Sequence, residues 1–369
     1  MANKYDFLSD FNKELEKMEG VSTSAAPPSY WYSAGNFVLN KIISGSFSKG
    51  IPQGRITDIA GPSGAGKSFI AGNLVLAAQR EGAVVLVIDS EGALDNMFMT
   101  AIGVDVEKDY SYVEVNTIPL VTKVVAKFIT NYLNKHEKDD NPPRVLIVID
   151  SLDMLMTETE QDHFSSGVTK GDQGQRNRQL KAMLRTFVHA IKHLNIAMVV
   201  TSQVYQNQDI LNGEGKFIVS DAVKYACSQI ILVQKRKLKD ESKGAKAGDF
   251  AGVRMICEGY KTRFTKPFQK VEIEVPYETG MDPYSGFVEV AEKVGIVTRK
   301  GNRYMIEGED ELWFSKDIAE HADRIIAKFD ERESVFLDAD GDVDTTDDGS
   351  AKSRRKAKFD GMTDSTGPQ

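Results

Sequence analysis

The sequence predicts an α/β protein in three layers around a mostly parallel central sheet. Three observations predict it. Apolar, β-branched runs recur without alternation at 84–89, 145–150, 196–203 and 229–234. Such runs suit strands covered on both faces. Helical stretches at 119–135 and 173–194 separate them, the spacing of strand–helix–strand units. Finally, Gly61-Pro-Ser-Gly-Ala-Gly-Lys-Ser68 fits the phosphate-loop pattern G-x-x-x-x-G-K-[ST] at every fixed position. It lies between a predicted strand at 55–60 and a predicted helix at 69–80.

Taken in chain order, residues 5–19 place Leu8, Phe11, Leu15 and Met18 at helical spacing. A Ser/Thr/Ala/Pro stretch at 21–29 reads as a linker, so residues 1–35 form an N-terminal helix and linker. The core is expected over 36–280. Its last two strands, near 253–262 and 270–277, have no helix between them and predict an antiparallel hairpin at the sheet edge. Residues 281–337 carry helices near 286–294 and 315–329. That length makes a marginal core alone, so the segment is expected to lean on the main domain. Residues 338–369 are charged and poor in large apolar side chains, which predicts a disordered tail.

The net charge of −8 argues at first against nucleic acid, but six aspartates lie within 338–348 alone. Without them the body is near neutral, and charge decides neither for nor against DNA. A basic run follows at 352–358. No apolar run of about 18 residues predicts a membrane span, and no apolar signal core precedes residue 10. Cys227 and Cys257 are expected as buried thiols in a reducing, intracellular compartment.

The chemistry is expected where strands end, the ligand-binding edge of open α/β sheets. In the loop of Gly61, Pro62, Ser63, Gly64, Ala65 and Gly66, the glycines would let backbone N–H groups turn inward around phosphates. Lys67 would reach the β- and γ-phosphates, and Ser68 would ligate Mg²⁺. A second carboxylate is needed at the end of an apolar strand next to this loop. Asp150 is the first candidate and Asp89 competes. Glu91 falls near the γ-phosphate as the group that orients water. Gln203 ends the next strand and can couple the phosphate to the loop after it.

Two polar loops, 157–172 and 204–217, are long for a compact domain and read as functional. Arg176, Arg178 and Lys181 follow the first, and Lys216 lies in the second. These cations suit nucleic-acid phosphates. Lys261 and Arg263 alternate on the edge hairpin and ask for an anion opposite, either a neighbouring subunit's nucleotide or an acid of the same chain. His189 and His193 lack a third ligand for a metal. The stretch from Asp338 misplaces the glycine and the twelfth ligand of a calcium loop.

The order of these motifs resembles the RecA family of recombinases. The residues that carry the likeness are the phosphate loop, Asp89-Ser-Glu-Gly-Ala-Leu-Asp95, Ile149-Asp-Ser151, Gln203, Lys261-Thr-Arg263 and Pro267-Phe268. It spans about residues 36–330, and its style is closest to the bacteriophage UvsX branch. The resemblance implies a RecA-like phosphate-loop ATPase core with an N-terminal docking helix, a small C-terminal α/β lobe and a regulatory acidic tail. It implies ATP and Mg²⁺, with Glu91 activating water, Asp150 acting through the metal and Gln203 sensing the γ-phosphate. Asp95 and Phe98 would hold adenine. Lys261 and Arg263 would reach across a subunit interface to a neighbour's ATP, and Arg176 sits at the first DNA loop. Gly92 departs from the bulkier residue usual in bacterial members, and the two loops diverge.

The resemblance implies an ATP-dependent DNA recombinase forming helical filaments on single-stranded DNA and pairing it with duplex DNA, in recombination and repair. Partners would include further copies of the chain, a loading mediator and a single-strand-binding protein, with no membrane, in the cytoplasm of a bacterial host. A ring-shaped helicase motor would use the same ATP residues. A DNA-independent ATP-driven scaffold would use them without DNA stimulation.

Overall fold

The structure, a computed structural model, describes residues 6–18, 21, 27–168, 174–206, 217–240, 250–277 and 279–339. It divides into two compact units, one ending at Glu320 and one starting at His321. The expected disordered tail lies, from 340 onward, outside the described residues.

The chain begins with helix α1 (Asp6–Leu15). Strand β1 (Trp31–Tyr32), helix α2 (Phe37–Ser44) and strand β2 (Ile51–Pro52) follow. Next come β3 (Ile56–Ala60), α3 (Lys67–Arg80), β4 (Val84–Asp89), α4 (Asn96–Ala101) and β5 (Tyr110–Glu114). Then run α5 (Ile118–His136), β6 (Val145–Asp150), α6 (Glu158–Ser165), α7 (Gln175–Ile191) and β7 (Ile196–Ser202). A short pair, β8 (Val204–Gln206) and β9 (Phe217–Val219), precedes α8 (Asp221–Ala226) and β10 (Gln229–Lys239). Strands β11 (Phe250–Lys261) and β12 (Lys270–Pro276) complete the main sheet. Helix α9 (Phe287–Lys293), the hairpin β13 (Val297–Lys300) and β14 (Arg303–Ile306), and helix α10 (Ile318–Ala339) end the described chain.

Eight strands form one sheet in the order β12-β11-β10-β3-β7-β6-β4-β5. The six from β10 to β5 run parallel, and β11 and β12 add antiparallel. The predicted edge hairpin is therefore present. Sequence alone missed β5, whose mixed burial marks the opposite edge. The largely apolar β6 and β7 are buried at every position, because helices cover both faces. On one face α5 and α7 bring Val121, Val125, Leu184, Phe187 and Ile191 onto Ile147, Ile149, Met198 and Val200. Helix α3 covers the other face, against β3, β4, β6 and β7. In β12, by contrast, Val271, Ile273 and Val275 are buried while Lys270, Glu272 and Glu274 face outward. That period of two is what a one-sided edge strand requires.

The segment after 281 is tied to α2. Asn36 caps that helix through its side-chain oxygen, and its amide donates to the carbonyls of Asp282 and Ser285 at 3.0 Å each. Phe37 and Phe47 meet the ring of Phe287 at 5.1 and 4.8 Å. The first polar loop is not structureless, as its length implied. Thr157 and Glu160 form a reciprocal capping box that starts α6. No helix among the described residues is long and apolar enough to cross a membrane.

Candidate nucleotide site and nucleic-acid loops

Strand β3 delivers its C-terminal end into the phosphate loop, and α3 leaves it. Gly66 caps α3 in the left-handed region (φ 97°), with no side-chain cap. The first-turn N–H groups of α3 thus remain available to an anion, with the helix dipole behind them. The left-handed φ favours glycine here, and a Cβ would also press on the flexible end of Met255, 2.3 Å from its Cε. Lys67 is buried, and its ammonium donates to the carbonyls of Gly61 and Pro62, each at 3.1 Å. It closes the loop on itself and stands where phosphate oxygens would compete for it.

Asp89 and Asp150 differ in their hydrogen bonds. Asp89 accepts from the N–H groups of Glu91, Gly92 and Leu94 and from the Tyr112 hydroxyl. Both its oxygens build the turn after β4. Asp150 accepts the Thr201 hydroxyl on one oxygen, while its buried Oδ2 has no hydrogen-bond partner among the described residues. Burial raises its pKa. Thr201 and the nearby Ser68 hydroxyl pull it down, and Glu91 and Asp89 push it up again. A buried carboxylate oxygen without a partner, close to Ser68, fits a hard cation, which takes oxygen ligands. The Asp150 strand is not the immediate neighbour of the phosphate-loop strand, because β7 lies between β6 and β3. Thr201 of β7 bridges the gap.

Glu91 is exposed just beyond β4 and accepts the Ser151 hydroxyl at 2.6 Å. Ser151 follows Asp150 directly, so one strand end supplies both the candidate metal ligand and the group that holds Glu91. Gln203 follows β7, and its backbone N–H donates to Asp153. Asp95 caps α4 by accepting the Phe98 N–H at 2.7 Å. Phe98 lies over α3, where a Cβ on Gly72 would approach its ring to 3.1 Å. Phe98 therefore borders the helix that leaves the phosphate loop, and Asp95 caps the helix that carries it.

A model of the RecA N-terminal domain matches residues 29–282. The chain belongs to the RecA family. Protein RecA of Aquifex aeolicus is 28% identical over 256 residues, 69% of each chain. Protein RecA of Thermus aquaticus is 28% identical over 274 residues, 73% of this chain and 74% of its own.

In this RecA-family chain the candidate DNA cations differ in state. Arg176, at the start of α7, is half-buried. It donates to the carbonyls of Leu155 and Leu152 at 2.8 and 2.9 Å and lies 3.8 Å from the Asp153 carboxylate. It is turned inward rather than presented to solvent. Arg178 is exposed one half-turn on, and the Lys181 ammonium sits 4.5 Å over the Tyr225 ring. Lys216 lies outside the described residues.

Lys261 and Arg263 lie far from this chain's own phosphate loop. Lys261 is in register with Ile230, and Ile230 with Asp58, three residues before Gly61. Three residues along a strand and two strands across together give about 14 Å, more than an extended lysine spans. The Lys261 ammonium donates to the carbonyls of Lys224 and Cys227. Burial and the neighbouring Arg263 lower its pKa. Arg263 is exposed, and so is Phe268. The sequence left open an acid of the same chain as their partner; for Lys261, backbone carbonyls of the described residues take that place.

Sequence reading assigned no role to Asp58, Thr201 or Asp153, and named Ser151 only as part of the 149–151 motif. Asp58 carried a signal: a lone acid inside the apolar strand 55–60. It is fully buried, and burial pushes its pKa up to about 8 despite a hydrogen bond from Ser202 at 2.9 Å. Cys227 and Cys257 are buried free thiols, and burial raises both, Cys257 to about 12.

Proposed function

We propose that this chain is an ATP-dependent DNA recombinase that polymerises on single-stranded DNA with ATP held between neighbouring copies, and that promotes homologous pairing and strand exchange. The observation that carries the reading is the separation of two half-sites. The phosphate loop and the Lys261–Arg263 pair sit too far apart to serve one nucleotide within a single chain. A second copy set head to tail brings one half-site to the other, and such a contact repeats into a helix when it does not close.

Within each site, backbone N–H groups of Gly64 to Ser68 and the Lys67 ammonium bind the phosphates. Ser68 and Asp150 would hold Mg²⁺, which neutralises phosphate charge when bound. Glu91, fixed by Ser151, orients the attacking water. Gln203 reads the γ-phosphate and passes its presence to the second loop. Asp95 and Phe98 receive adenine. Lys261 and Arg263 of the neighbouring copy stabilise charge on the far side of the triphosphate. Arg176, Arg178 and Lys216 meet DNA phosphates.

Helix α1 supports the assembly. Phe7 and Phe11 stack at 6.2 Å between centroids, and with Leu8 they stay exposed on the single chain, an apolar face that docking on another copy would cover. Residues 1–35 thus serve docking, 36–280 the ATPase core and 281–337 a lobe that guides duplex DNA. A loading mediator and a single-strand-binding protein are the expected partners, in the cytoplasm. Kinship with the phage UvsX branch rests on motif style alone.

The test is ATP turnover with and without single-stranded DNA, paired with electron micrographs of the nucleotide–DNA complex. DNA-stimulated turnover and helical filaments support the reading. Closed rings point to a helicase motor. Turnover indifferent to DNA points to a scaffold.

A further inference from the structure

One carboxylate touches the roots of both polar loops. Asp153 lies in the 3-10 turn after β6 (Leu152–Met154). Its Oδ2 accepts the backbone N–H of Gln203, where the second loop begins. Its Oδ1 is 3.8 Å from the Arg176 guanidinium, where the first loop ends. Arg176 also spans the same turn by donating to the carbonyls of Leu152 and Leu155. Both side chains are largely shielded, at 16% and 22% exposure. A pair so shielded is less screened by solvent than a surface ion pair.

Asp153 also feels the nucleotide pocket. Lys67 stabilises its charge and Glu91 opposes it, although burial is the largest influence on the group. Phosphate oxygens on Lys67 would remove the first effect and add repulsion to the second. Phosphate charge at Lys67 thus acts against the Asp153 carboxylate, and Mg²⁺ at Ser68 and Asp150 would offset part of it.

We propose that Asp153 is a positioning residue that latches Arg176 and the root of the second loop in the nucleotide-free chain, and that bound triphosphate weakens this latch so that Arg176 is handed to nucleic-acid phosphate. This rests on the reading that these loops meet DNA. Arg176 exchanges one anion for another, so it is never left buried and uncompensated. The Gln203 N–H is freed in the same step, which links the two loops without a separate relay.

The test uses the full chain and a fluorescent single-stranded oligonucleotide, with and without a non-hydrolysable ATP analogue. Asp153→Asn keeps an oxygen for the Gln203 N–H and removes the charge opposite Arg176. Its nucleotide-free affinity should rise about tenfold, and the gain produced by the analogue should shrink by the same factor. Asp153→Asn combined with Arg176→Gln should lose that rise. An unchanged analogue-to-free ratio in Asp153→Asn, or an equal fall in both states, overturns the proposal. The wild-type chain gives an independent measure. Its plot of log affinity against log salt should steepen by about 0.7 per subunit with the analogue, one extra phosphate contact on a single strand. Equal slopes also overturn the latch. A wild-type chain that binds no oligonucleotide with the analogue overturns the recombinase reading instead.

Discussion

Replacing Asp58 with asparagine should change how stability depends on pH, and the size of the change follows from the site. Asp58 is fully buried in β3; its Oδ2 accepts the Ser202 hydroxyl and its Oδ1 has no hydrogen-bond partner among the described residues. Burial raises its pKa from 3.8 to about 8; the Ser202 hydroxyl and Lys67 resist the shift, and Asp153 adds to it. Between these values the native chain holds a proton that the unfolded chain releases. The stabilisation from neutral Asp58 is therefore full below the unfolded value and lost as pH rises through about 8. Each unit of the window is worth about 1.36 kcal/mol. From pH 6 to pH 8, allowing for half-ionisation at the upper end, the loss is about 2 kcal/mol. Asparagine carries no titrating proton. Urea unfolding of both chains at pH 6 and pH 8 should show Asp58→Asn improving relative to wild type by about 2 kcal/mol, and the comparison cancels every other titrating group. Parallel pH dependences in the two chains would refute the buried neutral acid.

Other consequences concern the nucleotide. Lys67→Ala should abolish ATP binding, measured by calorimetry, because the buried ammonium is the cation of the phosphate loop. Glu91→Gln should bind ATP and hold assemblies on DNA while turnover falls by about 10²–10⁴; equal loss of binding and turnover would contradict the division of roles. Ser151→Ala removes the 2.6 Å bond to Glu91 and should lower kcat about tenfold with little change in KM, the effect of one hydrogen bond to a charged group.

The sheet was largely legible because its strands announce themselves. The runs at 84–89 and 145–150 match β4 and β6 end for end, since burial on both faces leaves no polar residue before their closing aspartates. The phosphate loop was legible for a different reason, that backbone approach to an anion needs glycine at fixed places. What escaped was spatial. Strand order is not written in the sequence, so the insertion of β7 between β6 and β3 and the bridging Thr201 were hidden. The weakly patterned β5 and the four-residue β13 and β14 fall below what periodicity resolves. Helix α6 was missed although Thr157 and Glu160 stand at capping-box spacing, because a long polar loop was the competing reading. Asp153 looked like an ordinary turn residue. Only the fold brings Gln203 and Arg176, 50 and 23 residues away in sequence, to the same carboxylate.

The central claim is that one active site is built from two copies, and mixing tests it directly. Glu91→Gln spoils the phosphate-loop side, and the double variant Lys261→Ala with Arg263→Ala spoils the opposite side. Each alone should turn over almost no ATP on single-stranded DNA. In an equal mixture, random head-to-tail neighbours place an intact loop against an intact cation pair in about a quarter of the interfaces. Turnover should reappear at about that fraction of wild type. A mixture no more active than its two components would show that the site does not span two copies.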